Sequence, residues 1–174
     1  ADDKGLAINV KVNPEIPYLL HGDEIRIKQI ITNLLTNAVK YTERGHVDFE
    51  VDYEKLDGDR ISLKVFVRDT GMGIQKENLE KLFSAFQRLE EERTRNIEGT
   101  GLGINITQSL LELMGSTLEV ESTFGEGSCF SFRVEQTVVK WEAIGDFADQ
   151  LYDSSAVNHE YKERFTAPDA KVLV

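Results

Sequence analysis

The sequence contains little cysteine or proline and has no long apolar run. Its single cysteine, Cys129, excludes a disulfide framework and a cysteine-ligated zinc site, and we expect it to be a small buried thiol. With 3 prolines and 40% hydrophobic residues among 174, the chain can form a core without disulfide support. No apolar run approaches the ~18 residues of a membrane span, and no signal-peptide pattern opens the chain.

The chain also lacks an excess of basic residues. It carries 20 basic and 31 acidic residues, a net charge of -11. Because neutralising nucleic-acid phosphates requires Lys and Arg in excess, this balance argues against a nucleic-acid partner and against docking on anionic lipid. A small anionic ligand stays possible, since local charge can oppose net charge. We therefore expect this chain to be a cytoplasmic domain without direct membrane contact. A longer protein that contains it can still be anchored in a membrane elsewhere.

Hydrophobic periodicity predicts both helices and strands. Strands are expected over 6–12, 47–53, 61–67, 118–121 and 129–134, and helices over 23–42, over 76–90 and from a glycine cluster at 99–103 to Gly115. The strands at 47–53 and 61–67, and the pair within 118–134, should be antiparallel neighbours. This order predicts an α+β fold: a two-layer α/β sandwich whose mixed, mostly antiparallel sheet carries helices on one face.

The pattern changes after residue 135. Trp141, Ile144, Ala148 and Leu151 follow helical spacing, which predicts a short amphipathic helix over 140–153. We expect it to pack on its own domain rather than bind a partner. The sequence thus predicts one domain over 1–135 and a linker over 136–166.

The helix predicted over 23–42 has a polar stripe beside its apolar one. Asn33, Asn37, Lys40 and Tyr41 follow i, i+4, i+7, i+8 spacing. A solvated polar face is the ordinary explanation. The alternative is that the amide oxygens are ligands for Mg²⁺, that Lys40 contacts a phosphate, and that Tyr41 offers a flat face to a base or sugar.

Two glycine-rich segments follow this helix. The first glycine loop, residues 69–74, ends a strand, and the second glycine loop, residues 99–104, opens a helix. Each alone is more typical of a tight turn, and neither is a dinucleotide fingerprint or a Walker A loop. Together with the asparagine helix they favour a phosphate ligand, since glycine allows close backbone approach and a helix N-terminus attracts anions.

Charged residues accompany these loops. Asp69 can accept a hydrogen bond from an adenine amine, although a turn-initiating aspartate is the simpler interpretation. Arg88, Arg93 and Arg95 lie between the loops. Alone they would be a solvated face, but between two phosphate-type loops they are candidates to close over a polyphosphate.

These segments together resemble a known family. The stretch from Asn33 to Thr42 resembles the N box of sensor histidine kinases, and the two glycine loops resemble their two glycine boxes. Residues 82–86 resemble the F box, and residues 124–128 the last glycine motif. These motifs occur in the same order as in the family, and the resemblance covers about residues 1–135. Together they resemble the catalytic ATP-binding domain of these kinases. The resemblance implies the Bergerat fold, shared with type II topoisomerases, heat-shock chaperones and mismatch-repair ATPases.

The resemblance implies roles for individual residues. Asp69 would bind the adenine amino group, and Asn37 with Asn33 would hold Mg²⁺ against the phosphates. Arg88 and Arg95 would contact the phosphates or belong to the lid, so that with Asn33, Asn37 and Lys40 they form the expected catalytic set. The remaining expected nucleotide-binding residues are Lys40, Tyr41, Gly71, Gly73, Ile74, Gly99, Thr100, Gly101, Leu102, Gly103 and Ser128.

The resemblance also indicates missing parts. His21, His46 and His159 lie in no phosphoacceptor setting, so the dimerising acceptor domain is expected before residue 1 and the fragment is expected to be a monomer. Residues 167–174 resemble the first strand of a receiver domain, which implies a hybrid kinase with a receiver domain or response regulator as partner.

Two rival functions stay open. The first is another Bergerat-fold ATPase that hydrolyses ATP, although such enzymes typically carry a water-activating glutamate where this chain has Asn33. The second is a nucleotide-sensing module that has lost transfer.

Overall fold

The structure is a computed structural model that describes residues 5–79 and 101–146, with the backbone alone at Gly101 and Leu102. This part of the chain contains six strands, two full helices and the first turn of a third helix. The predicted helix over 76–90 is described only for its first turn, 76–79. The elements are β1 (Ala7–Val12), β2 (Pro17–His21), α1 (Glu24–Tyr41), β3 (His46–Lys55), β4 (Arg60–Asp69), α2 (Gly101–Leu113), β5 (Leu118–Thr123) and β6 (Gly127–Ala143).

The strands form one mixed sheet in the order β1-β3-β4-β6-β2, with β5 paired to the first half of β6. The β1–β3 pair is parallel, and the other pairs are antiparallel. The predicted antiparallel pairs β3–β4 and β5–β6 are therefore confirmed. The α+β class with a mostly antiparallel sheet is confirmed as well.

The core lies between one face of the sheet and the two helices. Helix α1 contributes Ile30, Leu34 and Ala38, each at most 3% exposed, and α2 contributes the fully buried Leu111. The sheet residues facing them are alternate residues of each strand, because successive side chains point to opposite faces. They are Val47, Val65, Val67, Leu118, Phe130, Phe132 and Val134. Cys129 lies on the other face and is only partly buried.

Each helix has the capping residue that its sequence predicts, α1 at its start and α2 at its end. The Asp23 side chain caps α1 by accepting a hydrogen bond from the Arg26 backbone N–H at 3.0 Å. Gly115, with φ +70°, ends α2 in a Schellman motif. There the Ser116 N–H donates to the Leu111 carbonyl at 2.8 Å, and the Gly115 N–H donates to the Glu112 carbonyl at 3.0 Å.

The expectation that the domain ends at 135 and that a helix starts at 140 is wrong. Strand β6 continues to Ala143, and its second half pairs with β2, a strand that the sequence pattern does not predict because Pro17 interrupts it. Proline is tolerated at the first residue of an edge strand, which is where Pro17 lies. Val138, 6% exposed, extends the alternating apolar face of β6 into this pairing.

Two of the residues whose spacing predicted a helix contact neighbouring parts of the sheet instead. The Trp141 indole N–H donates to Asp59 Oδ1 at 3.2 Å, and the Lys55 ammonium lies 4.5 Å from the centre of the indole ring. The Ile144 N–H donates to the Ile16 carbonyl at 2.7 Å. Trp141 and Ile144 therefore hold the strand extension to the sheet, and the rest of the predicted helix lies outside the described residues.

In the described part of the chain, no helix is long and apolar enough to span a membrane.

Candidate functional site

The core-facing side of the sheet changes from apolar to polar at one end. Two successive rows across β4, β6 and β5 are apolar: Val65, Phe132 and Leu118, then Val67, Phe130 and Val120. The next row is Asp69, Ser128 and Ser122. Asp69 and Ser128 are only 6% and 7% exposed. The site residues thus continue the core, and hydrogen-bonding groups replace its apolar side chains.

The Asp69 carboxylate accepts hydrogen bonds from two backbone N–H groups. One comes from Gly71, at 2.9 Å from Oδ1, and the other from Ser128 on the neighbouring strand. Burial raises the pKa of Asp69, and the hydrogen bonds from Gly71 and Ser128 oppose that rise. The result is a buried acceptor group, suited to a ligand that donates hydrogen bonds.

The first glycine loop is fixed to four neighbouring segments. The Met72 N–H donates to the Tyr41 carbonyl at the end of α1, at 3.3 Å, and the Met72 carbonyl accepts from the Gly125 N–H at 2.8 Å. The Thr70 hydroxyl accepts from the His46 N–H at 3.0 Å. Ile74 closes the loop, since its N–H donates to Ser122 Oγ at 2.8 Å.

Two of the loop's glycines allow backbone contact that a side chain would prevent. A Cβ on Gly71 would lie 2.4 Å from the Tyr41 carbonyl oxygen. A Cβ on Gly73, whose φ is +64°, would lie 2.1 Å from the Thr123 carbonyl oxygen. Both distances are well below van der Waals contact, so these positions require glycine for packing of the loop against α1 and the β5–β6 turn.

Gly73→Ala is expected to lower the free energy of unfolding by about 2 kcal/mol more than Gly58→Ala. The two glycines have similar φ values, +64° and +69°, but a Cβ on Gly58 would meet nothing within 4 Å. The control should lose only the backbone strain of about 1 kcal/mol. Urea unfolding of both variants measures the difference, and equal losses would contradict the proposed role of the Thr123 contact.

The amide stripe of α1 lies beside the N-terminal turn of α2. Asn33 and Asn37 are both partly exposed on α1. A Cβ on Gly103 would lie only 3.6 Å from Asn37 Nδ2, so the second glycine loop reaches the stripe where α2 begins. Free N–H groups at a helix N-terminus favour anions, and amide oxygens are suitable Mg²⁺ ligands. The two elements therefore offer groups for a phosphate and its metal ion side by side.

Lys40 and Tyr41 lie at the end of α1, next to the first glycine loop. The Lys40 ammonium lies 5.3 Å from the centre of the Tyr41 ring. Lys40 is exposed, whereas Tyr41 is partly buried and its hydroxyl has no hydrogen-bond partner within the described residues. A cation and an aromatic face are thus held together at the edge of the site.

Part of the expected site lies outside the described residues. This holds for Arg88, Arg95, Gly99 and Thr100, and for the side chain of Leu102. Over 5–79 and 101–146, no group of three or more His, Cys, Asp or Glu residues could hold a metal ion. The amide oxygens of Asn33 and Asn37 fit the alternative arrangement, in which few protein ligands hold Mg²⁺ together with substrate phosphates.

Ser122 is the site residue that the sequence motifs missed. It belongs to β5, outside the recognised boxes, yet it bonds Ile74 and lies beside Ser128. The alternation of buried and exposed residues along β5 could have identified it, because Leu118, Val120 and Ser122 occupy the core-facing positions of this strand. A polar residue at the last of these positions, like Asp69 on β4, marks the end of the core.

Comparison with known proteins agrees with this geometry. Residues 22–138 match the family described as histidine kinase-, DNA gyrase B-, and HSP90-like ATPases. The chain is 39% identical over 132 residues to hybrid signal transduction histidine kinase B of Dictyostelium discoideum. It is also 39% identical over 132 residues to the signal transduction histidine-protein kinase BarA of Escherichia coli K12. Each match covers 76% of this chain but only 7% and 14% of those relatives.

Solved structures show the same architecture. Full-length ShkA in complex with AMPPNP matches with a TM-score of 0.61 and 31% identity, over 80% of this chain and 27% of that one. The catalytic domain of the histidine kinase ThkA matches with a TM-score of 0.51 and 24% identity, over 76% of this chain and 80% of that one, which supports the fold alone.

Proposed function

The chain belongs to the family of histidine kinase-, DNA gyrase B-, and HSP90-like ATPases, and from this premise we propose that it is the ATP-binding catalytic domain of a two-component sensor histidine kinase. The observation that carries the proposal is the buried Asp69 carboxylate at the polar end of the core, next to both α1 and the first glycine loop. The similarity to ShkA, solved in complex with AMPPNP, supports ATP as the nucleotide.

In this proposal Asp69 recognises the base. Its carboxylate is held by the Gly71 and Ser128 backbone N–H groups, so its orientation is fixed before the ligand arrives. The exocyclic amine of adenine is a donor and matches this acceptor. Gly71 and Gly73 would keep the loop close enough for the base to reach Asp69. Ile74 would contribute apolar surface beside the base, and Tyr41 its aromatic ring.

The phosphates would lie between α1 and the second glycine loop. Asn33 and Asn37 would hold Mg²⁺, which when bound neutralises phosphate charge and fixes the phosphate geometry. Lys40 supplies a positive charge on the same side of α1, and the backbone of Gly101 and Gly103 begins α2 at the phosphate side. Gly99, Thr100, Leu102, Arg88 and Arg95 complete the proposed lid and phosphate contacts.

The proposed reaction moves the γ-phosphoryl group to a histidine of a separate dimerisation domain. The bond between the γ-phosphorus and the β,γ-bridging oxygen breaks, a bond from an imidazole nitrogen to that phosphorus forms, and ADP leaves. The contribution of this domain is positioning and charge stabilisation, as is general for phosphoryl transfer. Because Asn33 is an amide and cannot act as a general base, the chain favours transfer over hydrolysis of ATP by water.

The relatives suggest a larger parent protein. Residues 167–174 are proposed to begin a receiver domain, and the similarity to a hybrid kinase supports this reading. The proposed partners are the acceptor domain and a receiver domain or response regulator. We further propose that the chain alone is a monomer and acts in the cytoplasm.

A mixing experiment is expected to show transfer. The chain, incubated with γ-labelled ATP and Mg²⁺, should label a separately made acceptor domain and should not label itself. The product should be acid-labile and alkali-stable, as phosphoramidates are. An acceptor domain whose histidine is replaced by Gln is the control and should remain unlabelled. Titration calorimetry with a non-hydrolysable ATP analogue, with and without Mg²⁺, measures binding in parallel.

The two measurements separate the rival functions. Binding without transfer to any acceptor domain in a panel would favour a nucleotide-sensing module. Steady release of inorganic phosphate without an acceptor would favour an ATP-hydrolysing relative. No Mg²⁺-dependent binding would contradict the proposal as a whole.

A further inference from the structure

Two polar side chains are buried in succession on α2. Thr107 is fully buried, and Gln108 is 7% exposed. The Thr107 hydroxyl has no hydrogen-bond partner among the described residues, whereas the Gln108 amide uses both its oxygen and its NH₂ group. Because a buried amide costs free energy unless hydrogen bonds compensate, the contacts of Gln108 show what it does at this position.

Gln108 joins α2 to the sheet. Its Oε1 accepts a hydrogen bond from the backbone N–H of Leu118, the first residue of β5, at 3.0 Å. Its Nε2 donates to Glu112 Oε1, one turn further along the helix, at 2.8 Å. Among the described residues, no other side chain of α2 forms a hydrogen bond with a strand. Since Leu118 is held in the sheet by its pairing with Phe132, the Gln108 amide fixes α2 to the sheet.

Both glycine loops lie against the last turns of α1. A Cβ on Gly71 of the first loop would meet the Tyr41 carbonyl, and a Cβ on Gly103 of the second loop would meet the Asn37 side chain. Asn37 and Tyr41 are one helical turn apart, about 6 Å along the axis. The two loops can therefore contact one ligand only while α2 keeps its position along α1.

Apolar packing alone defines that position loosely. The buried apolar residues of the two helices are aliphatic, and contact between such side chains is not directional. They are Ile30, Leu34, Ala38, Ile104 and Leu111. In other proteins, packed helices shift past one another by about 1–2 Å without unfolding. A hydrogen bond weakens steeply when its distance or angle changes, so the Gln108 amide is the contact that can hold α2 in one place.

We propose that Gln108 is a positioning residue for the phosphates, which holds α2 where its N-terminus meets the phosphates of a nucleotide whose base is bound at Asp69. Gln108 lies two turns from the start of the helix at Gly101, about 10 Å along the axis, so it acts without touching the nucleotide. Displacing reacting groups by about 1 Å can cost about 100-fold in rate. This inference rests on the proposed function, since it takes the second glycine loop as the phosphate site.

The test compares Gln108→Leu with the unaltered chain on AMP and on a non-hydrolysable ATP analogue. Both ligands carry the base, but AMP lacks the β- and γ-phosphates. Leucine is of comparable size and leaves the Leu118 N–H without its acceptor. The ATP analogue should bind the variant about tenfold more weakly, whereas the AMP affinity should stay within about twofold. Displacement of a fluorescent ATP analogue measures both affinities, including the weaker one.

Gln136→Leu is the matched control. Gln136 is also buried, 6% exposed, but its amide donates to the carbonyl of the adjacent Glu135 on β6. The control thus shows what the loss of a buried glutamine does to this fold in general, and it should leave the ratio of the two affinities unchanged. Urea unfolding of both variants measures the loss of stability. A change of the ratio in Gln108→Leu alone separates positioning from stability.

Two further substitutions keep the test decisive if Gln108→Leu does not fold. Gln108→Glu can still accept from the Leu118 N–H, but it places a carboxylate against that of Glu112. It should weaken binding of the ATP analogue more than that of AMP. Adding Glu112→Gln exchanges donor and acceptor at an unchanged net charge, so the bond between the two side chains can form again. The ratio of affinities should return to within about threefold of that of the unaltered chain.

The outcomes separate this inference from the proposed function. If the unaltered chain binds neither ligand, both are overturned. If it binds them and Gln108→Leu weakens both equally, or neither, the role of Gln108 alone is overturned. A double variant that does not recover the ratio lost in Gln108→Glu would contradict the role of the Gln108 hydrogen bonds in the same way.

Discussion

Asp69→Asn is expected to weaken binding of a non-hydrolysable ATP analogue by about 10- to 100-fold, the range of a hydrogen bond to a charged acceptor. The carboxylate is 6% exposed and already accepts from the Gly71 and Ser128 N–H groups. An Asn side chain has one oxygen, which accepts hydrogen bonds, and one NH₂ group, which only donates them. It therefore cannot accept from both backbone N–H groups and from the base, as the two oxygens of a carboxylate can. It also presents a donor where adenine presents its own. Titration calorimetry at neutral pH measures the loss.

Asp57→Asn is the matched control. It makes the same chemical change on an exposed aspartate in the β3–β4 hairpin, away from the polar row. It should leave the affinity unchanged. If Asp69→Asn also left the affinity unchanged, the base would have to be recognised elsewhere in the site.

The pH dependence of stability gives a second readout without nucleotide. Burial raises the pKa of Asp69 in the folded state above its unfolded value of about 3.9. Between these two pKa values the folded state binds more protons, so the contribution of Asp69 to the free energy of unfolding increases as pH falls. Asp69→Asn lacks this titration. The stability of the unaltered chain relative to the variant should therefore increase from pH 7 toward pH 4.

The strands and helices were predictable where one periodicity dominated. The alternation in β3 and β4 and the apolar stripe of α1 are unambiguous, and each has its turn or cap residue in place. Strand β2 was missed because a proline at its first residue resembles a break. The end of β6 was misassigned because Trp141 and Ile144 are three residues apart, a spacing compatible with helix, while Val139 and Trp141 alternate on the strand. Only the pairing with β2 shows that this segment is a strand and not a helix.

The sequence predicts which residues belong to the candidate site, but not which of them contact one another. Spacing and motif order identify Asp69, the glycines of the first loop and the amide stripe. The sequence does not show that Gly103 lies against Asn37, or that Gly73 lies against Thr123, because these contacts join segments far apart in the chain. Ser122 was missed for the same reason, since its importance depends on the register that places it beside Ser128. Motifs thus locate the groups, and strand register shows which of them act together.

Asn37→Ala is expected to lower phosphoryl transfer to an acceptor domain by about 100-fold and to abolish most of the Mg²⁺ dependence of ATP-analogue binding. Asn37 lies on the polar side of α1 against the first turn of α2. Its amide group therefore lies next to the helix end that would face the phosphates, and its amide oxygen is a proposed metal ligand. Alanine keeps the helix but provides no oxygen. The measurements are calorimetry with and without Mg²⁺, and labelling of the acceptor domain.

Thr36→Ala is the control, since Thr36 is the preceding residue of α1 and is exposed. It should leave both transfer and Mg²⁺ dependence unchanged. Asn37→Asp distinguishes a metal ligand from a phosphate donor, because a carboxylate can still hold Mg²⁺ but repels phosphate and cannot donate to it. Retained Mg²⁺ dependence with weaker overall binding in Asn37→Asp would support the metal role. If Asn37→Ala kept its full Mg²⁺ dependence, the ion would be held by other groups and the assignment of Asn37 would be wrong.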